Sequence, residues 1–274
     1  MFTHSKRLDL CNGPIFVNVV KYTLPIICTS LLQLCFNAAD LVIVGRFCGS
    51  SSVGAVGATS SLIHMFVNLF IGTATGVSVS VANAIGEQNE KKVSKIVHTA
   101  IPLSFFLGLF ITILGDVFST PLLKLMETPS NILPLSSLYT RIYFCGMIPS
   151  LVFEFSAAIF RASGDTQTPL KFLSLAGVTN VLLNVFFVTV IDLDVAGVAL
   201  ATVISQTISC SMIILALIRR NDYFKLEIKK MRIYLDVLKK ILNIGLPAGI
   251  QASIFSMSNV IIQSSVNSFG TIAV

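Results

Sequence analysis

The sequence has 274 residues, of which 54% are hydrophobic and only 12% charged, and its mean hydropathy is +0.85. Soluble domains carry about 25% charged residues, so this composition excludes an ordinary soluble domain and is typical of a polytopic membrane protein. The net charge of +6 lies in short stretches between apolar runs. In a membrane protein such charges set the topology and contact anionic lipid, so we expect no nucleic-acid partner.

The cysteines and the missing motifs exclude several kinds of site. The six cysteines form no CxxC pair, so we expect neither a zinc site nor a disulfide framework, and we interpret the thiols as small apolar packing groups. The sequence also contains no HExxH, no GxSxG and no pair of aspartate-rich motifs. We therefore predict no bound metal, no cofactor and no enzymatic activity.

Charge-free runs predict the fold class, which is an all-α polytopic membrane helix bundle. Seven helices are expected, with 116–141 as a long connection broken by Pro121, Pro129 and Pro134. The predicted helices cover approximately residues 22–45, 57–85, 96–115, 142–160, 172–191, 195–218 and 241–265.

The basic residues predict the orientation of this bundle. Of the 19 lysines and arginines, only Arg46, Lys124 and Arg141 fall on the side opposite the N-terminus. Because positive residues accumulate on the cytoplasmic side, we expect a multi-pass protein of the plasma membrane with a cytoplasmic N-terminus.

The first predicted helix carries the most conspicuous residue of the chain. Between Lys21 and Arg46 the only charged side chain is Asp40. A carboxylate inside a membrane span is costly, so it marks a functional site by default. Gln33, Asn37 and Asp40 are spaced four and three apart, which places them on one helical face. That face is too polar for lipid and is expected to face a cavity.

Other predicted helices carry polar stripes of the same kind. His64 and Asn68 lie on the second helix, Asn180 and Asn184 on the fifth, and Thr202 and Gln206 on the sixth. One such stripe is explained by hydrogen bonds between helices, but stripes on four helices favour a shared polar cavity.

Two residues of these helices leave alternatives open, and a pair of glycines predicts a helix contact. His64 is either a proton carrier or, more simply, a membrane histidine bonded to a neighbour. Glu154, seven residues before Arg161, either lines an inner vestibule or pairs near the interface. Gly72 and Gly76 form a GxxxG pattern, which predicts a close approach of another helix.

The chain divides at a basic stretch. Residues 219–240 contain eight lysines and arginines, and apolar residues spaced three and four apart predict an amphipathic helix on the cytoplasmic leaflet. We assign 1–218 to an N-terminal lobe of six helices, 219–240 to a linker, and 241–274 to the start of a second lobe. The last segment repeats the first helix at an offset of 222: Leu246-Pro247 follows Leu24-Pro25, Asn259 follows Asn37, and Ile262 replaces Asp40. Gln251 and Asn259 are its candidate cavity residues.

Four stretches of the sequence resemble the multidrug and toxin extrusion (MATE) transporters. They are LPIICTSLLQLCFNAADLVIVGRFCG, FRASGDTQTPL, AGVALATVISQ and IGLPAGIQASIFSMSNVIIQSSVNSFG. The resemblance implies a twelve-helix antiporter with two six-helix lobes and a central cavity, which expels organic cations and takes up protons or sodium ions. Asp40 stands at the family's first-helix carboxylate, Asn180 at its fifth-helix asparagine and Thr202 near a sixth-helix hydroxyl. Asn184 replaces an aspartate of some members, so Asp40 is the only carboxylate of the group.

These observations lead to one functional hypothesis and two alternatives. We expect a H⁺- or Na⁺-coupled antiporter that exports organic cations, drugs or metabolites by alternating access. The alternatives are a flippase for lipid-linked saccharides, which the scarcity of basic residues inside the spans disfavours, and a truncated chain without transport of its own. The expected partners are small organic cations, membrane lipid and the remainder of a second lobe. The coupling candidates are Asp40, Asn180, Asn184 and Asn37, and the cavity candidates are Gln33, His64, Asn68, Thr202, Gln206, Gln251 and Asn259.

Overall fold

The computed structural model describes residues 14–270, and over these residues all long regular elements are α-helices, with no β-strand. One short 3-10 helix, Ile228–Lys230, lies in the linker. The α-helices are α1 (Ile15–Phe47), α2 (Ser50–Gly86), α3 (Glu90–Leu125), α4 (Leu133–Cys145), α5 (Met147–Ala162), α6 (Gln167–Thr189), α7 (Asp194–Ile218) and α8 (Leu235–Asn267).

Six of these helices, α1, α2, α3, α6, α7 and α8, are each long and apolar enough to cross a membrane. Helices α4 and α5 pass the same test together, as one span bent by 46°. The predicted all-α bundle of six spans plus one is therefore confirmed. We call the end where α7 stops and α8 starts the linker end, and the opposite one the far end.

The connection expected at 116–141 is largely helical instead. Helix α3 continues to Leu125 with Pro102 and Pro121 inside it, and Pro134 lies in the first turn of α4. The prediction was wrong because these prolines occupy positions at which a membrane helix tolerates them. At a first turn its missing N–H has no helical partner to lose, and neighbouring helices in a membrane bundle satisfy the carbonyl groups that an internal proline frees.

The linker is not the amphipathic helix that its spacing predicted. Between Arg219 and Tyr234 the only helical turn is the 3-10 helix, and α8 begins at Leu235. Phe224 and Leu226 are 1% and 2% exposed and belong to the core that α2, α3, α5 and α7 form at the linker end. The apolar residues of the linker therefore anchor an irregular segment to the bundle instead of forming one helical stripe.

Helix α8 packs along α2 through two facing pairs of glycines. Gly72 and Gly76 of α2 meet Gly249 and Gly245 of α8, so that a Cβ atom on Gly245 would lie only 2.7 Å from the Cα atom of Thr73. Small residues at such a crossing let two backbones approach closely, which is the main source of packing energy between membrane helices. The close approach predicted from the GxxxG pattern is confirmed, and we call this contact the glycine seam.

Candidate functional site

Helix α1 reaches Asn184 through a close contact with α6. The ring of Phe36 occupies the space that a Cβ atom on Gly177 would need, so the absence of a side chain at Gly177 lets the two helices meet. Asp40 lies one turn beyond Phe36 and faces Asn184, which lies two turns beyond Gly177. The polar stripe of α1 therefore meets the polar stripe of α6 in the half of the bundle nearer the far end.

A chain of hydrogen bonds connects α1, α6 and α7 at this point. The Nδ2 amide of Asn184 donates to Oδ1 of Asp40 and to Oδ1 of Asn180, the latter at 3.3 Å. The Nδ2 amide of Asn180 donates in turn to Oγ1 of Thr202 at 3.3 Å, and Thr202 donates to the Val198 carbonyl at 3.0 Å. We call Asp40, Asn180, Asn184 and Thr202 the Asp40 cluster.

The Asp40 cluster is rich in oxygen atoms and poor in positive charge. Asn184 is completely buried, and its Oδ1 atom has no hydrogen-bond partner. Within residues 14–270 every ion pair involves a carboxylate other than Asp40. Buried polar atoms are nearly always partnered, and a buried charge needs a compensating charge or ligand. A half-buried carboxylate beside an unpartnered amide oxygen is therefore a suitable site for a small cation.

Two tyrosines of α4 also face this site, and the sequence analysis missed them. Tyr139 and Tyr143 lie close enough to Asp40 to interact with it electrostatically, and Tyr143 lies near the side chain of Gln206. Tyr139 is only 6% exposed. The two tyrosines are spaced four apart, so the signal was present, but the predicted boundary divided them: Tyr139 fell in the expected connection 116–141 and Tyr143 in the expected helix 142–160.

The comparisons with known proteins agree with this geometry. The family model described as MatE matches residues 25–186, which is more than half of the chain and contains Asp40, Asn180 and Asn184. The chain therefore belongs to the MatE family.

Among its relatives is the probable multidrug resistance protein YoeA of Bacillus subtilis (strain 168), which is 31% identical over 259 residues, or 91% of this chain and 56% of YoeA. Two solved structures share the fold. One is an inward-facing multidrug resistance MATE family transporter (TM-score 0.81, 23% identity, 91% of this chain and 58% of that one). The other is described in the outward-facing conformation (TM-score 0.83, 24% identity, 92% and 56%). The MatE chain thus spans little more than half the length of the proteins it matches.

The remaining predicted site residues lie outside the Asp40 cluster of this MatE chain. Five of them have exposed side chains and no place in the cluster, namely Gln33, Asn37, His64, Gln251 and Asn259. Asn68 donates to Oγ of Ser256 at 2.8 Å, so it bonds α2 to α8 beside the glycine seam. Asn68 therefore serves helix packing within the described structure.

Glu154 lies at the linker end, far along α5 from the cluster. Its carboxylate accepts a hydrogen bond from Nη2 of Arg161 at 3.4 Å, and both side chains are largely buried. Of the two interpretations left open, pairing near the interface describes this arrangement. A separate cavity of about 410 Å³ also lies at the linker end, where α2 ends and α3 begins, but its lining includes none of the predicted site residues.

Proposed function

We propose that this chain is the cation-binding lobe of a cation-coupled antiporter, in which Asp40 binds the coupling ion. The observation that carries the proposal is the pairing of an uncompensated carboxylate with the orphaned Oδ1 atom of Asn184. Asn180 and Thr202 hold the Asn184 amide in place from the other side. A proton or a sodium ion supplies the positive charge that the site lacks.

One rotation of the Asn184 amide accommodates either ion. In the present arrangement the Nδ2 group faces Asp40. When Asp40 is protonated, its O–H group becomes a donor, and the amide turns so that Oδ1 accepts from it. When Na⁺ binds, the same rotation presents Oδ1 to the ion together with the carboxylate, and oxygen ligands suit such a hard cation. The rotation also changes the bond from Asn184 to Asn180, so ion binding reaches α6 and α7.

The small number of buried side chains on α1 supports alternating access. Among its described side chains only Ile43 and Val44 are buried, so a shift of α1 breaks few contacts. The fold is shared with transporters described in inward-facing and outward-facing conformations. Ion binding at Asp40 would favour one position of α1 over the other and so change which side of the membrane the substrate can reach.

The substrate class follows from the relatives and from the exposed polar residues. YoeA is named as a probable multidrug resistance protein, and we propose organic cations, drugs or metabolites as the substrates here. Gln33 and Asn37 on α1, and Gln251 and Asn259 on α8, present exposed polar groups. With a second lobe opposite them, these side chains would line the transport cavity, and His64 and Gln206 would lie near its walls.

The surroundings of the protein are proposed from its outer surface. Helix α3 exposes Phe105, Phe106, Phe110 and Ile113, a stripe that water would destabilise and lipid tails would solvate. We therefore propose direct contact with membrane lipid, in the plasma membrane and with a cytoplasmic N-terminus as the basic residues predict.

The proposal is tested by transport in the protein completed with its second lobe. The protein is reconstituted into vesicles, a pH or Na⁺ gradient is imposed across their membrane, and ethidium movement is followed by fluorescence. We expect gradient-driven movement in the unmodified protein, its loss in Asp40→Asn, and its retention in the control Asp116→Asn, which changes an exposed carboxylate of α3. Unchanged gradient-driven movement in Asp40→Asn would contradict the coupling role.

A further inference from the structure

His98 is a buried titratable residue that the transport proposal does not use. It lies on α3 near the linker end and is only 3% exposed. The covering segment is the linker, which passes over this turn of α3 between Glu227 and Tyr234. His98 therefore lies at the contact between α3 of the first lobe and the linker that leads to α8.

The two ring nitrogens of His98 have partners that fix its protonation state. Nδ1 lies 2.7 Å from the Ser94 carbonyl oxygen, which can only accept, so Nδ1 carries a proton. Nε2 lies 3.1 Å from the backbone nitrogen of Glu227, whose N–H can only donate, so Nε2 carries none. The arrangement fits the neutral imidazole with its proton on Nδ1 and no other form.

The same turn of α3 receives two further N–H groups from the linker. The Arg232 N–H donates to the His98 carbonyl at 3.4 Å, and the Tyr234 N–H donates to Oγ1 of Thr99 at 3.3 Å. Three linker amides thus end on two adjacent residues. This attachment, which we call the His98 clamp, holds the linker beside the start of α8.

We propose that His98 is a proton-binding site whose occupation releases the linker from the first lobe. A proton would bind Nε2, where the resulting N–H group would face the N–H group of Glu227. The hydrogen bond would then be lost and two donors would oppose each other, while a positive charge would appear in a buried position. Since the clamped state excludes this proton, clamping weakens as the pH falls.

The charged groups around the clamp compensate a protonated His98 only weakly, because the Glu227 carboxylate that attracts it is exposed and screened by solvent. Glu227 has the closest carboxylate along the linker, but it is exposed and bonded to Nζ of Lys230 at 2.9 Å. This hydrogen bond lowers the pKa of Glu227 below its ordinary value, so Glu227 stays ionised over the range in which histidine titrates. The other charged side chains on α3 near His98 and on α5, the linker and the start of α8 are Glu90, Lys91, Lys92, Lys95, Glu154, Arg161, Arg219, Arg220, Asp222, Lys225, Lys229, Arg232, Asp236, Lys239 and Lys240.

The consequence concerns the connection between the two parts of the chain. The linker connects α7 to α8, and the clamp fixes its second half, from Glu227 to Tyr234, to α3. A released linker would allow α8, and whatever follows it, greater freedom relative to the first lobe. This inference depends on the His98 geometry alone and stands or falls separately from the role of Asp40.

The clamp can be tested directly because the chain has only three histidines. In the full chain with ¹⁵N-labelled histidine, NMR should show one imidazole that is neutral and protonated on Nδ1 at about pH 8. Hydrogen–deuterium exchange of the linker amides, corrected for the intrinsic effect of pH, should accelerate about tenfold between about pH 8 and pH 5, as expected when a buried hydrogen bond is lost.

Three variants separate protonation of His98 from other effects of pH. His98→Gln keeps an acceptor at the position of Nε2 but does not titrate, so its linker amides should stay protected at both pH values. His98→Asn keeps only the donor to Ser94, so exchange should be fast at both. The control His64→Gln removes an exposed histidine of α2, and its linker amides should show the same pH-dependent exchange as those of the unmodified protein.

Either of two results would overturn the proposal. One is a His98 imidazole that carries its proton on Nε2 at high pH in the unmodified protein, which needs no variant to fold. The other is a pH-dependent increase in linker exchange that persists unchanged in His98→Gln.

Discussion

Helices α1 and α8 each carry a Leu-Pro step about a third of the way along, but they are packed against the bundle in opposite ways. Helix α8 meets α2 backbone to backbone at the glycine seam, and Asn68 and Asn267 donate hydrogen bonds across its borders at 2.8 and 2.9 Å. Helix α1 buries only Ile43 and Val44 among its described side chains. Few hydrogen bonds connect α1 to other helices, and one of them joins Asn184 of α6 to Asp40.

The difference separates two roles: α8 is held by close packing, and α1 carries the candidate ion-binding carboxylate. A seam of small residues resists displacement, because shifting it breaks many close contacts at once. A helix with few buried residues moves at low cost, as segments that change position during function generally do. Asp40 thus lies on α1, which is the freer of the two helices to move when the charge of Asp40 changes. The following predictions test this contrast, from the largest expected effect to the smallest.

The contacts of Arg220 at the start of the linker, which we call the linker anchor, should give the largest loss of stability. Arg220 is nearly buried between the rings of Phe160 and Phe224, donates to Oγ of Ser163 at 3.2 Å and lies 3.9 Å from Asp165. Arg220→Met should lower the free energy of unfolding in detergent by about 3 kcal/mol, since it removes a positive charge beside the buried Asp165 carboxylate.

The control for this anchor is an exposed ion pair of similar length. Arg141 lies 3.7 Å from Asp116, with both side chains largely exposed. Arg141→Met should change the free energy of unfolding by less than about 1 kcal/mol. Equal losses in the two variants would show that the linker anchor is no stronger than a surface pair.

The glycine seam should be the next most sensitive feature. A Cβ atom on Gly72 would overlap the backbone of Gly249, whereas one on Gly86, in the same helix, would meet no atom within 4 Å. Gly72→Ala should destabilise the protein by about 2 kcal/mol through overpacking, and Gly86→Ala should be neutral or slightly stabilising. The same unfolding assay measures both. Similar values for the two alanines would show that α8 is not held by the seam.

The polar bond beside the seam should matter less. Asn68→Ala removes the donor to Ser256, which is only 4% exposed, and should lower the free energy of unfolding by about 1 kcal/mol. The control is Thr75→Ala, an exposed position on the same helix. A loss confined to Thr75→Ala would assign the effect to α2 itself instead of to its contact with α8.

The attachment of α1 at the linker end should give the smallest effect. The Tyr22 hydroxyl donates to the Arg161 carbonyl at 3.1 Å. Tyr22→Phe should lower the free energy of unfolding by only about 0.5 kcal/mol, because the bond is half-exposed. Thr29→Val removes a hydroxyl bonded within α1 and serves as the control. A loss above that of Gly72→Ala would reverse the contrast between α1 and α8.

Much of the fold was predictable because membrane spans are defined by composition and length. The GxxxG pattern at Gly72 and Gly76 predicted the close approach of a helix, although it did not identify α8 as the partner. The amphipathic helix expected in the linker did not form, because a spacing of three and four also suits side chains that anchor an irregular segment. Phe224 and Leu226 show this, since both are buried in the core.

The candidate site was predictable in its members but not in its limits. Asp40, Asn180, Asn184 and Thr202 were all among the sequence-based candidates, since polar residues inside apolar runs are rare. Helical spacing places a residue on a face but does not say which face meets which helix. For that reason Asn68 was assigned to the cavity although it bonds to Ser256, and Tyr139 was missed because its helix was not recognised.

The central claim is that Asp40 binds the coupling ion, and ion-dependent stability tests it most directly. The thermal unfolding of the purified chain is measured as Na⁺ replaces N-methyl-D-glucamine at constant ionic strength, and separately as the pH is lowered without Na⁺. If Na⁺ is the ligand, the folded state should gain about 1.4 kcal/mol at ten times its Kd. If the proton is the ligand, the gain should appear as the pH falls.

The account predicts that Asp40→Asn removes this ion-dependent gain and that Asp116→Asn keeps it. Retention of the full response to both ions in Asp40→Asn, or the absence of any response in the unmodified chain, would contradict the claim that this cluster is a cation site.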